Sequence, residues 1–460
     1  MHPVHIHELE LLNVFGIEAD FMQKFKEYLK SEGLPGNEKR RFEKIPLNVT
    51  YDFGKKLKII RPKRKKADGK EYDFKKDAPV PFLGAVDEDS SWWKFVTANK
   101  VVADWYPRVQ SAVSKSGATH EGVKNKATLD AAQLGMLDCT ELYFALERFK
   151  RERTWHNLDV TVAGIRDLLG QKGWYDLFVP EAMVKPTTFA GVRVLQDVAA
   201  ELLKRYAEKL YDYSKRQFIE PRLEIRELTK ADENIPNVAD YVFNVDADDA
   251  TVLNQIQTLR TELAKKVNAG KVLKAGDIEA INFDTHLFSP IFHLKMQGEI
   301  SIQPVALNDS EFRFVSDLCE YVKKHQAEFQ PKGQEIYLLR NMSRGKGVGF
   351  AEASNFHPDF ILWLVEGAKQ YITFVEPHGL LHENAESDKI KFAERIKQIE
   401  KRLGDPNVIL NSFILSPTSY QGIRWMPKPL KGWLADHHVL FLDDGGDSYL
   451  KDLFERILAT

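Results

Sequence analysis

Cysteine is nearly missing from this chain of 460 residues, where Cys139 and Cys319 are the two present. Two isolated thiols supply neither a zinc framework nor a disulfide scaffold, and such sparse usage fits a reducing cytoplasm. Long apolar runs are missing too, so nothing reads as a transmembrane span. The opening Met1-His-Pro-Val-His-Ile-His-Glu lacks the basic and apolar parts of a secretory signal. The expectation is a cytoplasmic protein with no membrane partner. There is no excess of either charge: 65 basic residues face 67 acidic ones, for a net charge of −2, so any nucleic-acid contact must be local. Nor is there a nucleotide-hydrolysing loop. Arg344-Gly-Lys-Gly-Val-Gly349 has the glycines but not the G-x-x-x-x-G-K-[ST] spacing, and it reads as a flexible hairpin.

With 43% hydrophobic and 29% charged residues the composition is that of an ordinary folded protein, and the length predicts about two to four domains. Residues 1–110 open with helical spacing of Leu9, Leu12, Phe15, Phe21, Phe25 and Leu29, ended by Gly33 and Pro35. A small, basic, β-containing module follows, with strands at 45–49 and 57–60. Residues 111–230 read as a helical scaffold, with long amphipathic helices at 129–150 and 192–218 and Trp155, Trp174, Tyr175 and Leu177 as core. Polar, acidic residues 231–300, with a charged helix at 252–267, read as a linker or docking segment. Residues 301–460 alternate in the order helix (310–329), strands (335–341, 360–364, 370–375), helix (387–403), strands (408–415, 438–442) and helix (449–458). That order predicts an α/β domain around a central mixed sheet.

In Lys55-Lys-Leu-Lys-Ile-Ile-Arg-Pro-Lys-Arg-Lys-Lys66 eight of twelve residues are cationic. Clustered Lys and Arg release counterions on binding DNA or RNA, which makes Lys63, Arg64, Lys65 and Lys66 candidate phosphate contacts. A solvated strand and turn, or a nuclear-localisation signal, would look similar.

The densest chemistry lies in Asn355-Phe-His-Pro-Asp-Phe-Ile-Leu-Trp-Leu364 and Gln370-Tyr-Ile-Thr-Phe-Val-Glu-Pro-His-Gly379. Asp359 opens one apolar run, Glu376 lies in the next, and His378 falls two residues on. Adjacent strands lie about 4.8 Å apart and residues i and i+2 share a face, so the three can share a pocket. A Pro-Asp pair before a strand is often only a turn. A Glu inside an apolar strand is harder to dismiss, because an unpaired buried carboxylate is costly. Two such acids suit a hard divalent cation such as Mg2+ or Mn2+. Glu311, next to Ser310 at a helix start, is a further candidate, although the helix dipole favours a Glu there in any case. Glu352 is a competing acid, His357 and His382 read as peripheral, and Lys389, Lys391 and Arg395 could touch phosphates or simply form a solvated helix face.

The strand order, with Pro-Asp on one strand and Glu-x-basic on the next, resembles the PD-(D/E)xK nuclease core. More narrowly, the chain resembles the part that follows the helicase core in the restriction (Res) subunit of type III restriction enzymes and related DEAD-DEAH helicase-nucleases. The likeness rests on residues 310–318, 347–360 and 371–380, and more loosely on Leu11-Leu-Asn-Val-Phe-Gly-Ile-Glu-Ala-Asp-Phe-Met22. It implies Mg2+-dependent endonucleolytic cleavage of double-stranded DNA. In that scheme Asp359 is the metal-binding aspartate, Glu376 the second carboxylate bridging metal and attacking water, and Glu311 the accessory acid. A helicase motor region or subunit and a methyltransferase subunit are the implied partners. The motor is missing here, which suggests the C-terminal portion of a longer polypeptide or a separate subunit. The chain departs from the family at His378, where the pattern has Lys. A catalytically inactive, DNA-binding adaptor of the same fold is therefore the competing expectation.

Overall fold

The computed structural model describes residues 40–49, 57–106, 109–110, 117–118, 124–295, 300–342, 348, 350, 357–381, 383, 387–425 and 428–459. The expected N-terminal helix and the likeness at 11–22 fall outside these residues. So do Lys55 and Lys56, most of the glycine-rich hairpin, Glu352 and His382. The chain divides into two compact units. One gathers the described residues before 60, those between 227 and 348, and those from 357 onward; the other is built from the described residues of 60–226 together with Phe350.

The second unit is organised by a 31-residue helix, Phe189–Ile219. Thr188 caps it, its hydroxyl accepting from the Gly191 amide. Helices Ser91–Ala98, Cys139–Glu152 and Val162–Gly170 and a small sheet centred on Tyr175–Phe178 complete a core in which Trp174 and Tyr206 are fully buried. The Trp92 Nε1–H donates to the Tyr206 hydroxyl at 2.7 Å. The helix expected over 129–150 is broken in two, because Asp138 turns out of the helix and caps a new one, accepting from the Thr140 and Glu141 amides.

In the first unit, residues 231–300 are not a linker. They carry strand Asp240–Asp246, paired with Arg40–Pro46 and Ser301–Gln303, helix Ala250–Leu263, and an antiparallel sheet of Lys271–Ala275, Ile278–Asn282 and Ile291–Leu294. The alternation of buried Tyr241, Phe243 and Val245 with half-buried Val242 and Asn244 is a strand signature masked in the sequence by flanking acids.

The central sheet lies in the same unit. Helix α1 (Asp309–Lys324) precedes strands β1 (Gln334–Arg340), β2 (Phe360–Glu366) and β3 (Lys369–Glu376). Helix α2 (Asp388–Leu403) then leads to β4 (Val408–Ser416), β5 (Val439–Phe441) and helix α3 (Gly446–Leu458). The strands lie side by side in chain order. β1–β2 and β2–β3 are antiparallel, and β3–β4 and β4–β5 parallel.

The β2–β3 turn is two residues long, and Gly367 takes the left-handed φ of 59° that such a turn needs. Gly404 ends α2 in the same region, at φ 65°. Phe360 to Val365 are each at most 1% exposed, so β2 is covered on both faces. Phe314, Leu318, Leu450 and Leu453 of α1 and α3 pack with Leu338, Phe360, Leu362 and Leu364 in one core cluster. The expected strands and helices of residues 301–460 all appear, with ends shifted by at most five residues. This part of the chain is mixed α/β, and no helix among the described residues is long and apolar enough to cross a membrane.

Candidate functional site

Strand register brings the two predicted carboxylates together. Phe360 pairs with Val375 in the antiparallel β2–β3 ladder, and Asp359 and Glu376 are the next residues outward on each strand. Asp359 is held there by a side chain that the sequence reading did not single out. Asn341 follows β1; its backbone amide donates to the Asp359 carbonyl at 2.7 Å, and its Nδ2 donates to the Pro358 and Val348 carbonyls, each at 2.7 Å. Its Oδ1 accepts from the Val348 amide and from Asn234 Nδ2. All four hydrogen-bonding capacities of this buried amide are thereby used to fix the approach to Asp359.

Glu376 is 7% exposed. One of its carboxylate oxygens, Oε2, is buried without a hydrogen-bond partner, while Oε1 accepts from Lys389 Nζ at 3.0 Å. Burial pushes the Glu376 carboxyl up from the ordinary range; Lys389, His378 and the Asp359 amide oppose that shift. Burial also pushes Asp359 up, to about 8, reinforced by the charges of Glu376 and Glu311 and opposed by Arg340 and Lys389. Two desolvated acids that repel one another, one with an orphaned oxygen, form a site short of positive charge.

The cation reaching Glu376 is Lys389, from the first turn of α2, rather than the residue two positions along the strand. His378 turns away: its Nε2 is 3.0 Å from Glu383 Oε1, and its Nδ1 is 3.9 Å from Glu376 Oε1. Lys389 Nζ also lies 3.3 Å from His378 Nδ1. The same ammonium is 3.4 Å from His378 Nε2, so it sits beside both ring nitrogens. The His378 bond is the main reason that Glu383 is pulled down to about 2. His378 therefore braces Lys389 and Glu383 beside the site, and the place expected for a strand lysine is supplied from the helix.

Glu311 lies near enough to raise Asp359, but its carboxylate is already committed. It closes a capping box with Asn308, and its Oε2 accepts from Arg340 at 3.0 Å and from the Asn308 amide at 3.1 Å. Arg340 is itself pinned, its backbone amide donating to Nε2 of His286 at 2.9 Å. Burial holds His286 down at about 3, so it stays a neutral acceptor. Ser310 Oγ donates to the Pro377 carbonyl, tying the start of α1 to the turn after Glu376.

The donor set suits a hard divalent cation: carboxylate oxygens from Asp359 and Glu376, one of them unpartnered, with room in the charge balance for a dication. Glu311 would stand behind this pair through Arg340. Among the described residues no three His, Cys, Asp or Glu side chains are gathered as a metal shell.

The four residues of the basic run fall in the second unit and have separate environments. Lys63, Arg64 and Lys65 are exposed, while Lys66 is paired with Asp77 at 2.5 Å. Lys58, earlier in the run, is bound to Asp405 at 2.6 Å. No protein-family model matches the sequence, and no curated protein or solved structure matches it.

Proposed function

We propose that the Asp359–Glu376 centre is a divalent-metal-dependent phosphodiesterase site of the PD-(D/E)xK kind, acting on double-stranded DNA as the endonuclease module of a restriction or phage-defence helicase-nuclease. The observation that carries this reading is the buried pair of carboxylates at adjacent strand ends, with Glu376 Oε2 unpartnered and Lys389 on Oε1. The helix-strand-strand-strand-helix-strand order around it supports the same reading.

Asp359 and Glu376 would hold Mg2+ or Mn2+, which supplies Lewis-acid neutralisation of phosphate charge and lowers the pKa of bound water. Lys389 fixes the Glu376 carboxylate and places a positive charge where negative charge develops on a phosphate. His378 and Glu383 hold Lys389 in place, and the Glu311–Arg340 pair and Asn341 hold Asp359. A helicase motor region or subunit, and a methyltransferase subunit, would be the partners that bring DNA to the centre and choose where it is cut.

The test is cleavage of supercoiled plasmid by the full chain in Mg2+ or Mn2+. Cleavage should disappear in Asp359→Ala and in Glu376→Ala. Cleavage retained by both variants, after contaminating nuclease has been excluded, would sink the reading. DNA binding with neither cleavage nor metal binding that depends on these acids would favour the adaptor instead, a reading favoured by the commitment of Glu311 to Arg340.

A further inference from the structure

The basic run continues into a turn that covers a cavity of about 360 Å³ within the second unit. The turn is closed by backbone hydrogen bonds from the Tyr72 amide to the Arg64 carbonyl at 2.8 Å and from the Lys66 amide to the Lys70 carbonyl at 2.7 Å. The Lys63 amide donates to the Arg222 carbonyl, which joins the turn to the end of the long helix. Lys63, Arg64, Tyr72, Phe218 and Arg222 line the cavity, with Glu71 at its rim. The Arg222 guanidinium lies 4.0 Å from the Phe218 ring centroid and 5.0 Å from that of Tyr72. Its Nε is buried with no hydrogen-bond partner, and Lys63 has no ion pair among the described residues.

We propose that this cavity receives one nucleotide of a single-stranded nucleic acid, its base against the Tyr72–Arg222–Phe218 surface and its phosphates on Lys63 and Arg64. Three features select that ligand. The volume falls within the range of about 300–1,000 Å³ typical of small-molecule sites, enough for one planar group. Aromatic rings and a guanidinium plane offer stacking to any exposed base. Exposed lysine and arginine at the mouth complement a polyanion. A duplex keeps its base faces stacked inside, so a concave site with aromatic walls discriminates against it. Lys65 and Lys66 do not line the cavity, and Lys66 is bound to Asp77 with its ammonium 5.8 Å from the Tyr72 ring centroid. This site is independent of the carboxylate centre.

The experiment measures binding of a fluorescein-labelled single-stranded oligonucleotide of about 12 nucleotides, within the site sizes usual for such proteins, to the full chain without divalent metal. Tyr72→Ala should weaken binding by about 5- to 100-fold, whereas Tyr72→Phe should keep it, because stacking needs the ring and not the hydroxyl. The double variant Lys63→Ala/Arg64→Ala should reduce the slope of log affinity against log salt by about 1.4, the share of two phosphates on a single strand. Glu71→Lys, at the rim, should tighten binding, and it keeps the test open if Tyr72→Ala fails to fold. Inorganic polyphosphate should bind more weakly and ignore Tyr72. The proposal is overturned if Tyr72→Ala folds and binds like the wild type, if Glu71→Lys has no effect, or if duplex or polyphosphate binds as tightly as the single strand. None of these outcomes bears on plasmid cleavage at Asp359 and Glu376.

Discussion

At the end of the central sheet, Glu376 is 7% exposed and its nearest cation, Lys389, is hydrogen-bonded to it. Along the cavity of the second unit, Lys63 and Arg64 stand exposed to solvent. The first arrangement works in a low dielectric, where charge is fixed by hydrogen bonds and pH decides its state. The second works in water, where counterions screen charges beyond about 8 Å at physiological salt and salt decides its strength. The contrast is between a negative centre that is buried and braced and a cavity with cations exposed at its mouth, in one nearly neutral chain. It also sets what each should do when perturbed.

The largest effect should come from the carboxylates. Asp359→Ala and Glu376→Ala should each lower plasmid cleavage by at least about 10³-fold, measured as single-turnover rates at saturating Mg2+. Strand binding by the second unit, measured without metal, should not change. A parallel loss of strand binding would break the separation of the two sites.

Lys389 and His378 come next. Lys389→Ala should lower the cleavage rate by about 10²-fold, and His378→Ala by about 10-fold or less, since the lysine touches Glu376 and the histidine braces it. A loss at His378 larger than that at Lys389 would return the histidine to the role expected from the sequence pattern. The sequence pattern did not place Lys389 beside Glu376, for a physical reason. A two-residue spacing along β3 states which side chains share a face, but not what the following helix brings back to it. Lys389 is the second residue of α2, and its reach depends on where that helix starts.

The strands themselves were legible, because β2 and β3 are apolar runs bounded by a glycine turn and by charged ends. Asp359 beside Glu376 followed from strand pairing alone. Asn341 did not. Its partner Asn234 lies 107 residues away, and an isolated Asn after a strand gives no sign of such a pairing. Glu311 was visible as a helix-start acid, yet its bond to Arg340 depends on the start of α1 lying beside the end of β1, which periodicity does not record.

The third effect is on stability, in the chain without metal. The folded state raises the Asp359 carboxyl to about 8, above its unfolded value of about 3.9. The fold therefore favours the protonated form. Its contribution to stability is fully present below pH ~4 and is lost as pH rises through about 8. Asp359→Asn removes the ionisation, so the variant should match the wild type at pH ~4 and exceed it at pH ~8.5 by on the order of a few kcal/mol. Thermal unfolding in a chelating buffer checks this. Mg2+ should restore the wild type at the higher pH and leave the variant little changed. An advantage that did not vary with pH would mean that Asp359 is not held in a charge-poor site.

The smallest effect is expected at Lys63, and it probes the other half of the comparison. Its backbone amide is bonded to the Arg222 carbonyl, and that bond survives replacement of the side chain. Its ammonium is exposed and has no ion pair among the described residues, so the folded state gains nothing from it that water does not already supply. Lys63→Ala should therefore change the unfolding free energy by less than about 0.5 kcal/mol, at low and at physiological salt alike. Denaturant unfolding at two ionic strengths measures it. A cost above about 1 kcal/mol that faded with salt would show that the ammonium is fixed in the fold by an opposite charge, as Lys389 is by Glu376, and the two sites would no longer differ in kind.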